Sequence, residues 1–359
     1  MKKQQVMVIA LLWAVLTAFA WFAPAKTVSD SERRPLAMMP AVTLDALSGG
    51  RFMKDFETYS LDQFPFRDSF RTIKSLFHYY ALGQKDNNGI YLSDGYAAKQ
   101  EYPLNADSVN HALERFNHIY EQYLEGSNIY AAVVPDKGYY LAEKSGHLSL
   151  DYEALFSMVE NGMPWAQHID LTQSLSLTDY YRTDTHWRQE NLFRAARTLC
   201  DALGVSTPER ISATVLDRPF YGVYYGQAAI PMEPDHLAVL ELEYLEDCTV
   251  YDQESGKTTS VYDMTKLDSR DLYDVYLSGA RALLTIDNPG GKTDKELIVF
   301  RDSFGSSMVP LLIQDYSKVT LVDTRYISSD LLDRYVDFHG QDVLFLYSSL
   351  ILNSSSAIK

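Results

Sequence analysis

The apolar run at residues 129–134 sets the strongest limit on the fold. It is continuous rather than alternating, is of strand length, and is ended by Pro135 and Asp136. An amphipathic helix at 108–124 precedes it, with Val109, Leu113, Phe116, Tyr120 and Tyr123 on one side. A helix followed by an uninterrupted apolar strand is the repeating unit of an α/β sheet buried on both faces. The rhythm returns near the C-terminus as strand 296–300, helix 304–313, strand 319–322, helix 329–334 and strand 343–347. Between these blocks, 188–203 reads as a helix with Leu192, Ala196, Leu199 and Leu203 in a stripe and Gly204 just past its end.

The rest of the chain is placed around that frame. Residues 89–96 read as strand, tight turn, strand, and 165–171 as a further strand. From about 205 to 294 the texture becomes strand-like and tyrosine-rich, with strands at 237–244 and 249–251, and is expected to form a β-rich insertion. Residues 52–80, with Phe56, Phe64, Phe66, Phe70 and Phe77 among charges, are expected to be helices wrapping the domain. With 46% hydrophobic residues in 359, one large core is within reach. The domain is expected at 51–353, with a linker at 26–50 and a frayed tail at 354–359.

Lys2 and Lys3 precede an uncharged run, 4–25, that is almost wholly apolar from 6 to 23. Positive charge, apolar stretch and the ending Ala23-Pro24-Ala25 fit a secretory signal. The same run is close to the roughly 20 residues that span a bilayer. Pro24 beside the scissile bond favours a retained anchor over cleavage. Either way, the remainder of the chain is expected outside the cytoplasm. The balance of 32 basic and 48 acidic residues, net −16, argues against a nucleic-acid partner, whose phosphates need a basic face. Cys200 and Cys248 are the only cysteines, and either a disulfide or two buried thiols fits them. No CxxC or His/Cys cluster suggests a metal, and no cofactor is implied.

Two places carry chemistry. At 296–307 a buried strand ends at Arg301-Asp302-Ser303-Phe304-Gly305 and a helix begins at once. Ligands bind at the carboxyl ends of strands in open α/β sheets, and amides opening a helix suit an oxyanion. The bland alternative is that Asp302 or Ser303 caps the helix. The second place is Tyr181-Arg182-Thr183-Asp184-Thr185-His186-Trp187. In extended backbone Asp184 and His186 share a side, and a carboxylate beside an imidazole is the pairing a hydroxyl nucleophile needs. The alternative is that Asp184 caps the next helix and His186 is an ordinary surface residue.

Together with Arg34-Pro35-Leu36-Ala37, Phe220-Tyr221-Gly222 and Leu344-Phe345-Leu346-Tyr347, these motifs resemble the DHHW family of bacterial exported proteins. Thr185 stands where the family's naming motif has a second histidine. Asp-Thr-His-Trp is also similar to the corresponding motif of alginate O-acetylation proteins, whose catalytic domains are SGNH-hydrolase-like with Asp and His upstream of Ser. The resemblance implies an SGNH-like α/β sheet with flanking helices and permuted motif order. It implies Ser303 as nucleophile, His186 as base and Asp184 as its partner. Phe304 and Gly305 are expected near the oxyanion, with Asn288 and Tyr347 as further contributors. An extracytoplasmic O-acyltransferase or esterase acting on polysaccharide is the function implied, with a membrane O-acyltransferase as the partner supplying acyl groups. A non-catalytic glycan-binding or scaffold protein of the envelope is the alternative. A metal-dependent hydrolase built on Asp184, His186 and Asp302 is the third reading.

Overall fold

A computed structural model describes residues 2–22, 24–208 and 212–359. The chain forms two compact units, residues 1–88 with 225–233, and 89–224 with 234–359.

The smaller unit opens with helix α1, Lys2–Phe22, whose 21 residues give about 32 Å at 1.5 Å per residue, enough to cross a hydrocarbon core. Most of its described apolar side chains, including Val6, Leu11, Trp13 and Phe19, are exposed. The expected linker is not free chain. Arg34 grips Asp62 through two bonds of 2.8 and 2.6 Å, and the Ala37 N–H donates to the same carboxylate. Asp62 ends helix α2, Arg51–Asp62, and α3 follows at Arg67–Leu76. Arg67 and Arg71 both reach Glu32. The segment 225–233 returns here because Ser75 and Asn87 donate to the Ala228 carbonyl. The boundary of the large domain therefore falls near residue 88 rather than 51.

The larger unit starts with a hairpin, β1 Ile90–Ser93 and β2 Tyr96–Lys99. Helix α4, Ala106–Ile119, is capped by Asn105 and leads to β3, Asn128–Val134. Helix α5, Tyr152–Gly162, then precedes a two-residue strand β4, Gln167–His168, shorter than the strand expected at 165–171. Helix α6, Phe193–Leu203, ends at Gly204 with φ of 67°, the left-handed position that favours glycine. A hairpin of β5, Ser212–Phe220, and β6, Asp235–Glu241, comes next. Among the remaining elements are β7 Thr249–Asp252, β8 Lys257–Thr259, β9 Leu283–Asp287, β10 Glu296–Arg301, α7 Gly305–Met308, β11 Lys318–Val322, β12 Asp342–Ser348 and α8 Ser349–Asn353.

Eight strands make the central sheet in the order β8-β7-β9-β11-β10-β12-β3-β4. From β11 to β4 the strands are parallel, and β9, β7 and β8 add an antiparallel wing. The stretch expected as an insertion is thus divided: among the described residues β5 and β6 pair only with each other, whereas β7 and β9 extend the sheet. Alternation sorts the parallel strands between two cores. Leu297, Val299, Leu344 and Leu346 face α6 residues Ala195, Ala196 and Leu199. Ile298, Phe300, Val343 and Phe345 face α4 residues Val109, Leu113 and Phe116. The expected helix 304–313 is only α7, followed by tight turns around Pro310, which cannot donate to a continuing helix. The tail does not fray: Ile358 is buried and the Lys359 N–H donates to the Thr324 carbonyl. Cys200 and Cys248 are separate buried thiols, and burial pushes Cys200 up to about 12.

Candidate functional site

All parallel strands end at one edge of the sheet, and register places the end of β10 beside the end of β12, with Arg301 opposite Leu346. Asp302 comes next, fully buried. Its Oδ1 accepts from the Phe304 N–H at 2.9 Å and its Oδ2 from the Ser348 N–H at 2.8 Å. Asp302 therefore caps the turn and ties it to the next strand, which leaves the Ser303 hydroxyl free of that duty. Gly305 is required behind it, since a Cβ there would sit 2.8 Å from the Arg301 Cβ.

The second motif is a closed loop. Tyr180 and Trp187 pair across it, and the Tyr181 N–H donates to the His186 carbonyl. Asp184 and His186 share a side. The Asp184 Oδ1 lies 2.6 Å from His186 Nδ1 and also accepts the His186 N–H at 3.0 Å. His186 Nε2 lies 2.7 Å from Ser303 Oγ. Asp184 Oδ2 accepts from the Val223 N–H at 2.8 Å, so the carboxylate is held on both oxygens. A carboxylate on Nδ1 selects the tautomer that leaves Nε2 as acceptor for a hydroxyl proton. Asp184 and His186 are buried and Ser303 is half-buried.

Neighbouring side chains fix the loop to the serine turn. The Trp187 indole N–H donates to the Phe304 carbonyl at 3.1 Å and to Ser307 Oγ at 2.8 Å. Gln189 donates to the Ser307 carbonyl. Tyr273 stacks on the His186 ring at 3.9 Å and 9°, and its hydroxyl meets Ser307 Oγ at 2.7 Å. Burial raises the Tyr273 phenol well above its ordinary range, so it stays neutral against the imidazole. Gly222 completes the fit, because a Cβ there would lie 2.3 Å from the Asp184 Cα. Tyr273 is hidden in the sequence among 26 tyrosines, and Trp187 is legible only as a letter of the motif.

Four expected contributors are placed differently. The Phe304 and Gly305 amides both donate to Asp302, to its side chain and carbonyl respectively, so they are engaged in the turn. Phe304 instead lines the site, its ring 5.0 Å from that of His186. Among the described residues no acceptor is found for the Ser303 N–H, which makes it the free amide beside the hydroxyl. Asn288 comes after β9, whose Asp287 pairs with Lys318, itself opposite Glu296 at the start of β10. It lies at the far end of the sheet, roughly 17 Å of strand from Ser303, and its amide donates to the Ile313 and Tyr316 carbonyls. Tyr347 points into the α4 core, where its hydroxyl meets Thr324. The Asp302 carboxylate, needed by the metal reading, is likewise spent on backbone amides.

A cavity of about 370 Å³ lies elsewhere, lined by Tyr139, Tyr152, Phe156, Glu153, Glu160 and Asp170 among others, and shares no residue with this site.

The fold is a mixed α/β sheet with flanking helices, with the Asp184–His186 loop upstream of the serine strand. The sequence matches the DHHW protein family model over residues 170–322. The chain is similar to the crystal structure of a DHHW family protein from Eubacterium siraeum, with TM-score 0.59 and 21% identity over 76% of this chain and 95% of that one. PatB1 of Bacillus cereus, in a structure with a sulfonyl adduct, aligns at TM-score 0.55 and 16% identity over 73% of this chain and 95% of its own. The O-acetyltransferase domain of Pseudomonas putida AlgJ overlays at TM-score 0.44 and 16% identity over 74% of this chain and 92% of its own, too loosely to carry an argument. No curated protein matches the sequence.

Proposed function

We propose that this chain is an extracytoplasmic serine-dependent O-acyltransferase or esterase acting on cell-envelope or secreted polysaccharide. The observation that carries the reading is the continuous series from Asp184 through His186 to Ser303, with bonds of 2.6 and 2.7 Å, at the ligand-binding edge of a parallel sheet. His186 Nε2 takes the Ser303 proton as Oγ attacks the acyl carbonyl, and Asp184 stabilises the imidazolium that forms. The oxyanion falls beside the free Ser303 N–H. Collapse expels the donor alcohol, which takes the proton from His186, and leaves acyl-Ser303. An acceptor hydroxyl, from a sugar or from water, then gives its proton to His186 and attacks the ester. The new ester or free acid departs as Ser303 recovers its proton. Helix α1 suits a membrane anchor, and in the transferase case a membrane O-acyltransferase would deliver the acyl group.

The test is acylation of the full chain by a chromogenic acetate, read by colour and by intact mass. Acetyl on Ser303, lost in Ser303→Ala with folding unchanged, is the expected result. Equal turnover by both proteins sinks the assignment. A second reading, glycan binding without catalysis, draws on the separate cavity, where Tyr139 and Phe156 offer rings to a sugar face and Glu153, Glu160 and Asp170 accept hydroxyls. Loss of oligosaccharide binding in Tyr139→Ala, with no acyl adduct on the parent chain, would favour it.

A further inference from the structure

One buried cation is not used by the chemistry above. Lys137 comes after Pro135 and Asp136 at the end of β3, on the same edge of the sheet as Ser303. Its side chain is 1% exposed. Burying an ammonium is costly unless its donors and charge are answered. Its Nζ donates to the Tyr181 carbonyl at 2.9 Å and the Arg182 carbonyl at 3.3 Å, and lies 4.9 Å from the Tyr224 ring and 5.9 Å from the Tyr96 ring. These carbonyls open the loop that ends in Asp184 and His186. The loop's amides are answered from the other side: Arg182 N–H, Thr183 N–H and Thr183 Oγ1 all bond to Asp235. Lys137 therefore supplies the positive charge and Asp235 the negative one between which the loop is stretched.

We propose that Lys137 is a positioning residue of the Ser303 site: its ammonium holds the Tyr181–Arg182 backbone so that the loop delivers His186 to Ser303. This rests on the acyl-transfer reading above. The charged groups acting on Lys137 are Asp184 from the loop, Asp235 from β6 and Asp136 from its own turn. Tyr96 and Tyr224 present rings only. Burial outweighs the three carboxylates and lowers the ammonium from 10.5 to about 7. Loss of that charge as pH rises would give the site an alkaline limit.

The experiment tracks labelling of Ser303 by phenylmethylsulfonyl fluoride, in which Oγ bonds to sulfur, fluoride leaves and the proton passes through His186 to solvent. The rate is read by intact mass from pH 5 to 10 on the full chain, for the parent, Lys137→Arg, Lys137→Met, His186→Ala and Ser303→Ala. The parent is expected to give a bell that falls above about pH 7. Lys137→Arg moves the falling limb beyond pH 10, because a guanidinium stays charged. Lys137→Met has no falling limb and a plateau lower by about 10- to 100-fold, the cost of a misplaced base. A falling limb unchanged in Lys137→Arg overturns the proposal, as does parental labelling in Lys137→Met. Should Lys137→Met not fold, the parent and Lys137→Arg profiles decide alone. No Ser303 label on the parent, or equal labelling in His186→Ala, removes the acyl-transfer reading itself and the proposal with it.

Discussion

Asp184 has one oxygen on His186 and the other on the Val223 amide, so its charge and its geometry are separable by substitution. Asp184→Asn keeps the shape, offers an N–H where the imidazole needs an acceptor, and is expected to slow acylation by about 10³–10⁴-fold with little change in fold. A loss below tenfold, measured with the chromogenic acetate, would falsify the assigned role. Lys137 gives a thermodynamic prediction besides its kinetic one. Between its native value near 7 and 10.5 the unfolded chain holds a proton that the native chain does not, so this residue makes stability rise with pH through that window. The Tm of Lys137→Met minus that of the parent should therefore be larger at pH 6 than at pH 9. A constant difference would show that the ammonium does not titrate there. Asp184, His186 and Ser303 are legible in the sequence because their spacing and strand-end context carry meaning. Lys137 is silent there, since an -Asp-Lys- pair after a strand reads as a solvated turn until burial is known.

At the scale of elements, the site is a strand end, β10, facing a loop that belongs to no regular element. Continuous apolar runs expose β3, β10 and β12 in the sequence, because a strand buried on both faces has no alternation to blur. The loop's neighbours are harder to see. Gly222 is required by close approach to Asp184, and nothing in Phe220-Tyr221-Gly222 alone says which backbone it approaches. Gly222→Ala must push that backbone away, which is expected to cost about 1–3 kcal/mol of stability and most of the acylation rate. Denaturant midpoints and acetate turnover, measured together, check this, and a variant as stable and active as the parent would contradict the packing. The sequence overstates the helix after Ser303 for a similar reason: leucines around Pro310 keep an apolar pattern while proline ends the hydrogen-bond ladder.

At the scale of the molecule, the two units are stabilised by different means. The larger has two hydrophobic cores, whereas the smaller exposes much apolar surface and depends on charged contacts such as Arg34 with Asp62. The Arg34 bond, aided by the Ala37 amide, holds the Asp62 carboxyl down to about 2 against burial. A depressed carboxyl contributes stability that is complete above about pH 4 and is lost as pH falls through 2. Acid should thus loosen residues 26–88 first, giving hydrogen exchange there at pH 3 while α4 and β12 stay protected. Simultaneous exchange throughout would argue against separate stabilisation.

Strand β12 has a further consequence, one of timing. It lies between β10 and β3, and the Asn128–Asp342 bond joins residues 214 apart in sequence. The turn that presents Ser303 is itself moored to Ser348 through Asp302. A chain made or exported from its N-terminus holds both halves of the parallel sheet before the strand that joins them has emerged. Until then each half keeps an open edge, and closure over so long a loop is slow. The Ser303 hydroxyl is therefore set in place only when nearly the whole chain is available, so that an unfinished chain carries no assembled candidate site.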